Sequence, residues 1–580
     1  MEVTQSNFVN VLPEIEEAIK NCTFISIDCE LTGLKTALNH INAFDTPKKF
    51  YEKVLNDCKE FLLIQYGLSF FRYEKKNDVF KHKSYNFYIF RKPVKKFLED
   101  QRFMCQTSSI DFLINEGFNF NKLFKEGVSY LNNVEEDSYR ANLEEFQRKL
   151  KESSISRTNS NDIIPIPDEH KEFIEEIIQK IKDFINSDDT EMEIPRCNGF
   201  LRRLIYQTCH QNFSDMVTLE TRLQNKDRIL FAMKCKTAQE KEDIMEKKMQ
   251  DMLNTFENSI GFSKVIKKII ESEKIIVGHN MLLDFLHTIH KFVTPLPENY
   301  CDFKECASSL FPRVLDTKYI SSTEPFKGLV NSTVLGQLLE LVSEKPFEMP
   351  RYEVEDGCLS YNINDDKQHE AGYDSFITGL ILISLWKYLG SKKNLSNGNI
   401  FDNLGHKLFD PYLNKIYLMY LTDNQYLNLS GEDLNPSRDH VFHLVFPKQW
   451  TTNNIVQLFS PFGAVYIAWI SEVSAFVGLM KKDQAAVALK TLSQSDTYSI
   501  MTFAKHQAIS AGLRPIAPSP LKKRKSNEGQ VPNKKRRTDS FDGSSFSASK
   551  RSISPIEEAP EEVEENKSNK KNVFEEAEWN

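Results

Sequence analysis

Asp28 and Glu30 stand two residues apart at the end of the run Phe24-Ile-Ser-Ile-Asp-Cys-Glu30. The run is apolar and β-branched, which reads as a strand, and in a strand residues i and i+2 share a face. Asp28 and Glu30 therefore project side by side with Ser26, while Ile25, Ile27 and Cys29 face the other way. Two carboxylates that close repel unless a cation lies between them, and a divalent metal is the usual solution. Metal-assisted phosphodiester cleavage needs further acids, because two ions about 3.5–4 Å apart activate the attacking water and stabilise the leaving oxygen. Two more acids are available. Asp284 follows Ile275-Ile-Val-Gly-His-Asn-Met-Leu-Leu, where a buried strand ends at Gly278 and a helix begins. Asp374 closes His369-Glu-Ala-Gly-Tyr-Asp and opens an apolar helix, Phe376–Leu385. His369 lies five residues earlier, about 140° around an ideal helix from Asp374. It is therefore expected in the loop or frayed turn before the helix. There a neutral imidazole, with a pKa of about 6.5, is suited to take a proton from an attacking water.

Each piece also has a plainer reading. An Asp-x-Glu pair fits a solvated strand face, Asp284 and Asp374 fit acids favoured at helix N-termini by the macrodipole, and His369 fits a structural histidine. Strand Asp-x-Glu, then Asp after Gly-His-Asn, then His-x4-Asp, in that order, points to one metal centre.

The elements that must position these residues come from more than one domain, as 580 residues imply. Residues 1–150 alternate strand-like runs (Phe61–Tyr66, Gly67–Phe71, Tyr85–Phe90) with helical segments. A Ser/Thr/Asn/Asp/Pro-rich linker is expected at Glu152–Pro167, and a compact, mainly helical unit after it, 168–233. The charged stretch Lys234–Leu253 reads as a long exposed helix or a connector. Apolar α/β texture resumes over 255–422, with a strand at Lys274–Val277. Residues 438–505 follow the order βαββαβ, that of the ferredoxin-like RNA-recognition arrangement, with strands Val441–Phe446, Ala464–Ile470, Ser474–Met480 and Tyr498–Phe503 and helices Asn454–Phe459 and Gln484–Leu492. Residues 511–580 lose aromatic and β-branched density and are expected to be disordered.

Bulk composition excludes some classes. The formal net charge is −8, so the whole molecule is not a basic nucleic-acid binder, and local charge must carry any such role. Ten cysteines without a CxxC pair fit reduced thiols better than a disulfide framework or a zinc site. No run of 18 apolar residues is present, so no membrane span is expected, and the N-terminus lacks the pattern of a secretory signal.

The order of acids and histidine resembles the DEDDh exonucleases, which share a ribonuclease-H-like fold. Longer stretches narrow the resemblance: Phe44–Pro47, Cys105–Phe112, Gly278–Asp284, Phe311–Lys318 and His369–Asp374 are together similar to the poly(A)-specific ribonuclease family, over about residues 1 to 510. The resemblance implies an α/β ribonuclease-H-like nuclease interrupted by a small α/β Arg-x3-His-like domain, then a ferredoxin-like RNA-recognition domain and a disordered tail. It implies Asp28, Glu30, Asp284 and Asp374 as ligands of two Mg2+ ions and His369 as general base. It further implies Leu31, Ser109, Ile110, Phe112, Asn280 and Lys318 near bound adenylates. Lys318 would neutralise a phosphate, and Phe112 offers a stacking or packing face, although Phe112 and Ile110 equally fit core positions.

In the middle unit the match is imperfect, since Tyr206 follows Arg202 by four residues where a histidine is usual, and His210 follows four later. The Arg196, Arg202 and Arg203 cluster suggests either a phosphate-contacting face or a solvated helix. In the RNA-recognition unit the third strand keeps only Phe476 of the usual aromatic platform, with Ser474 and Leu479 at the other positions, so base stacking across the sheet is weakened. Trp469, at the end of the second strand, is implied to stack on the 7-methylguanosine cap; a core role is the alternative.

Lys522–Lys525 and Lys534–Arg537 resemble a bipartite nuclear import signal, with a nonspecific RNA-binding arm as the alternative. The resemblance thus leads to a 3′-to-5′ exoribonuclease that shortens poly(A) tails and releases 5′-AMP. Its expected partners are poly(A) RNA, the mRNA cap, a second copy of the chain in a homodimer and a nuclear import receptor, in nucleus and cytoplasm. The rivals are a DEDDh nuclease that trims other 3′ ends, such as those of small noncoding RNAs, and an inactive RNA-binding scaffold.

Overall fold

A computed structural model of the chain describes residues 1–510, apart from 35–40, 95–96, 156–163, 214–215, 225–226, 235–237, 359, 366 and 402–406. The expected disordered tail with its two basic clusters lies outside the described residues, as does the middle of the expected linker. The architecture is mixed α/β, with three separate sheets among the described residues.

The largest sheet has nine strands. In spatial order they are Glu2–Val3, Val79–Tyr88, Leu63–Glu74, Phe24–Leu31, Ile275–Gly278, Val314–Asp316, Lys415–Tyr417 and Tyr426–Asn428, with Tyr352–Val354 also on the Val79–Tyr88 strand. The strands Phe24–Leu31, Leu63–Glu74 and Val79–Tyr88 pair antiparallel, whereas Ile275–Gly278 and Val314–Asp316 add parallel. Those two short strands are buried at every residue, which explains their unbroken apolar runs.

Helices cover both faces. On one lies Leu282–Phe292, whose Phe285 and Leu286 join Ile25 and Ile27 in one core. On the other lies Ala371–Lys392, packed with Phe24, Phe71, Val277 and Leu338. This helix is 22 residues long and apolar almost all round because it runs between the sheet and the helix Leu335–Val342. Opposite it, Thr46 caps the helix Pro47–Glu60 by accepting from Lys49 N at 3.2 Å, with proline at the first helical position.

Three expectations change. Phe61–Tyr66 and Gly67–Phe71 are one strand, Leu63–Glu74, because Gly67 is paired on both sides, with Asp28 and with Asn86. The linker starts later than Glu152, since the helix Asn133–Ile155 runs through it. The middle unit is not helical throughout. The helices Asp168–Asn186 and Gly199–Phe213 pack on an antiparallel sheet of Glu191–Ile194, Asp227–Lys234 and Val217–Gln224. Glu191–Ile194 buries only Ile194 fully, so its sequence carries little strand signal. The charged stretch is the helix Ala238–Ile260, whose Phe256 and Ile260 return to pack against Tyr139 and Leu143.

The RNA-recognition unit has the expected order, and its sheet runs Val465–Ser471, Ser474–Leu479, Val441–Val445, Ser499–Thr502. One element was not expected. A helix, Phe503–Ser510, follows directly and lies across the sheet, where Phe503 meets Phe476 at 5.1 Å between ring centres. Phe44 of the nuclease unit packs edge-on against the same Phe476 and against Tyr466. Ala43, Phe44, Val441, Ala468, Phe476 and Phe503 form one small apolar cluster that joins the two units. Arg438 rivets it: its guanidinium binds Asp423 through two hydrogen bonds, donates to the carbonyls of Phe44 and Asp45, and lies over the Phe503 ring.

Candidate active site

Alternation along Phe24–Leu31 decides which acids meet. Asp28 and Glu30 share the face of Phe24, which packs against the Ala371–Lys392 helix, and Asp374 sits in that helix's first turn. One carboxylate oxygen from each of Asp28, Glu30 and Asp374 lies within 4.8 Å of the other two. Asp284 arrives from the opposite side, on the first turn of Leu282–Phe292, where the nearby Cys29 thiol favours its ionised form. It is close enough to both Asp28 and Glu30 to disfavour their ionisation.

Burial, then the charges of Asp374 and Asp284, holds Asp28 and Glu30 well above the usual carboxylate range. Burial also pushes Asp284 and Asp374 up to about 7. Among the described residues, no lysine or arginine offsets this repulsion at any of the four. Hard oxygen ligands crowded in this way fit a divalent cation of the magnesium type.

His369 lies where the spacing placed it, in the turn before the helix, with φ of 65°. Its backbone N–H donates to Asp374 Oδ2 at 3.1 Å, so the left-handed turn is anchored on a metal-ligand candidate. Its imidazole is half-buried and packs edge-on against the Phe112 ring, 4.9 Å between centres. Burial lowers its pKa below the ordinary value, which keeps the ring neutral near pH 7.

The other expected residues divide into two groups. Ile110, Phe112, Asn280 and Lys318 border the same end of the sheet. The helix Thr107–Asn115 carrying Ile110 and Phe112 is tied to the end of the Asp28 strand, with Gln106 N–H donating to Thr32 O at 2.7 Å and Leu34 N–H to Gln106 Oε1 at 3.2 Å. Ile110, Phe112 and Asn280 are half-buried there, whereas Lys318, Leu31 and Ser109 are buried, Leu31 in the core with Ile25 and Ile27.

Four positioning residues carried no signal beyond their type. Gln65 Oε1 accepts from Ala371 N at 2.9 Å, and Asn86 Oδ1 from Gly372 N at 3.1 Å, so two strand side chains cap the helix that bears Asp374. Gly67, paired with Asp28, lets that helix approach; a Cβ there would lie 1.8 Å from Ala371 O. Asp316 is fully buried at the end of Val314–Asp316 and accepts hydrogen bonds from five backbone N–H groups. A polar or glycine residue inside an apolar strand was the only hint available.

In the RNA-recognition unit Phe476 is not an open platform, because Phe44, Phe503 and His506 surround it. Trp469 lies at a sheet edge on the opposite face. It is partly exposed, edge-on to Phe446, and its carbonyl accepts from Asn42 Nδ2 at 3.4 Å. In the middle unit Arg202 is turned onto the Arg228 carbonyl, Tyr206 faces Thr221, and Arg203 and His210 are exposed.

An α/β nuclease with a buried carboxylate cluster and a histidine poised at its edge defines a metal-dependent phosphodiesterase of the exonuclease type. The chain belongs to the CAF1 family of ribonucleases, whose family model matches residues 3–382, while a model described as an RNA binding domain matches 431–509. It is 40% identical over 514 residues to the poly(A)-specific ribonuclease PARN of Xenopus laevis, covering 87% of this chain and 81% of that protein. The protein of that name from Homo sapiens is 40% identical over 519 residues, covering 87% and 80%. A pre-piRNA 3′-exonuclease trimmer of Bombyx mori is 26% identical over 529 residues, covering 88% and 95%.

Proposed function

We propose that this enzyme shortens poly(A) tails from the 3′ end by hydrolysis, releasing 5′-AMP, with two Mg2+ ions held by Asp28, Glu30, Asp284 and Asp374. Family membership makes the chain a poly(A)-specific 3′-exoribonuclease. The observation that carries the mechanism is the convergence of Asp28, Glu30 and Asp374 beside His369.

When bound, the ions would supply an acidified water and charge stabilisation at the scissile phosphate. The rest falls to the chain's own residues. His369 takes the proton of the attacking water on its imidazole, neutral because the ring is half-buried. The Phe112 ring braces that imidazole, and the Asp374 carboxylate fixes its backbone. Lys318 offers a cation to a phosphate, while Ile110, Phe112 and Asn280 face the terminal adenylates, with Leu31 and Ser109 behind them. Trp469 stacks on the cap from its sheet edge. The homodimer, and nuclear entry through Lys522–Lys525 and Lys534–Arg537, complete the reading; light scattering and localisation of a variant with both basic clusters neutralised test them.

Degradation of A20, U20 and C20 RNA with magnesium tests the core of the reading. A20 should disappear at least about tenfold faster than the others, and equal rates on all three would sink the poly(A) assignment. A second reading, trimming of small-RNA 3′ ends, is favoured by the similarity to the Bombyx mori trimmer over 88% of this chain. It requires efficient cleavage of ends without adenosine, which the same series measures.

A further inference from the structure

We propose that Asp316 is the positioning residue of the adenylate-facing wall, its buried carboxylate clamping Asn280, Lys318 and the helix of Asp284 in one register. The inference rests on the reading of Asn280 and Lys318 given above.

Asp316 Oδ1 accepts from Asn280 N at 3.0 Å, Lys318 N at 2.9 Å and Tyr319 N at 3.4 Å. Its Oδ2 accepts from Met281 N at 3.3 Å and Tyr417 N at 3.0 Å. Three chain segments therefore converge on one carboxylate: the turn 279–281, the helix Thr317–Ser321 and the strand Lys415–Tyr417.

Each bond fixes something the wall uses. Asn280 holds a φ of 55°, a conformation unfavourable for most L residues, and its N–H donates to Asp316. Met281 is the N-cap of Leu282–Phe292 and has no side-chain cap of its own, so Asp316 supplies one from outside, three residues before Asp284. Asp316 also caps the helix on which Lys318 stands. The Lys318 ammonium lies 5.8 Å from the centre of the Tyr417 ring, and Asp316 holds the backbone of both residues. The next residue grips the same turn, with Thr317 Oγ1 donating to Gly278 O at 3.1 Å and paired with His279 Nδ1 at 2.9 Å.

A helix cap alone would need only one short acceptor. Five N–H groups divided between two oxygens call for a carboxylate. An asparagine has one acceptor oxygen, and whichever way its amide turns, its NH2 group faces at least two of these donors.

The test compares wild type with Asp316→Asn, Asp316→Ser and Lys318→Ala on A20 and U20 RNA at saturating magnesium, alongside thermal melting. Serine keeps an acceptor for the Thr317–Ser321 helix but is too short to hold all three segments, so it carries the test if the asparagine variant does not fold. Both Asp316 variants should raise KM for A20 about tenfold and lower the A20-over-U20 preference by a similar factor, and should also lower kcat as the Asp284 helix loosens. Lys318→Ala should raise KM as well. A lowered melting temperature with wild-type KM and preference in the Asp316 variants, while Lys318→Ala raises KM, would assign Asp316 a structural role only and overturn the clamp. An unchanged KM in Lys318→Ala would instead remove the wall reading, and the clamp with it.

Discussion

At the nuclease centre Asp28, Glu30, Asp284 and Asp374 are crowded together, Glu30 and Asp374 buried and the other two half-buried, and each makes the others harder to ionise or is itself raised by desolvation. On the sheet of the RNA-recognition unit, His443 and His506 stack at 4.0 Å between ring centres, and burial lowers both their pKa values. The first region keeps its groups crowded at an open strand end and needs a cation to be comfortable. The second fills its surface with its own chain: the Phe503–Ser510 helix and Phe44 occupy the face where an RNA base would lie. One fold thus holds a site kept ready for a ligand and a site already satisfied by an intramolecular one. A family resemblance at the level of motifs does not distinguish the two, because Phe476 is present in both cases.

The comparison breaks most sharply at the carboxylates. Asp28→Asn or Asp374→Asn should reduce cleavage of A20 by about 10³-fold or more, equivalent to about 4 kcal/mol of lost transition-state stabilisation. Metal-free melting should not fall in either variant, since a repelling charge is gone; a matched loss of stability would mean these acids are structural. His369→Ala should cost about 10²-fold in kcat while magnesium still raises the melting temperature, as expected for a base that holds no ion. Gly67→Ala should destabilise by about 1–3 kcal/mol, because the added methyl meets Ala371 O, and should slow cleavage about tenfold by displacing Asp374. Phe44→Ala probes the other region. It should loosen the joint, seen as faster hydrogen exchange in Phe503–Ser510, while A20 cleavage changes less than about threefold.

The last contrast is the dependence on pH, and its sign should differ between the regions. Without metal, Asp284 and Asp374 titrate near 7 when folded and near 3.8 when unfolded, so the folded site binds more protons in that window. Stability at the site should therefore fall as pH rises from about 4 to about 7, and saturating magnesium should reverse the trend. His443 titrates near 4 folded against 6.5 unfolded, so the unfolded chain binds more protons there. Stability at the RNA-recognition sheet should be lost as pH falls through the same range. Hydrogen exchange resolved by residue separates the two slopes, and slopes of equal sign would erase the distinction.

Much of the site was legible because its chemistry is local. Alternation placed Asp28 and Glu30 on one face, and the five-residue spacing kept His369 out of the helix that carries Asp374. What stayed hidden depended on partners distant in sequence. Gln65 and Asn86 reach the helix end at Ala371 and Gly372, Gly67 makes room for it, and Asp316 gathers N–H groups from residues 280 to 417. Nothing in the neighbourhood of Gln65 distinguishes it from a polar residue on an edge strand. Similarly, Glu191–Ile194 and Phe503–Ser510 are short, and packing rather than pattern makes them a strand and a helix.

By itself the sequence determined which groups can do the chemistry: four carboxylates and an imidazole in a fixed order, on elements whose periodicity sets where each side chain points. Only the tertiary structure decided how they are held and what else is available. It brings Asp284 from the opposite face of the strand, buries Leu31, Ser109 and Lys318, and closes the Phe476 face with the chain's own aromatic residues. The physical reason is the range of the forces. Backbone periodicity acts over a few residues, whereas burial and hydrogen-bond satisfaction are settled only when segments hundreds of residues apart exclude water from the same place.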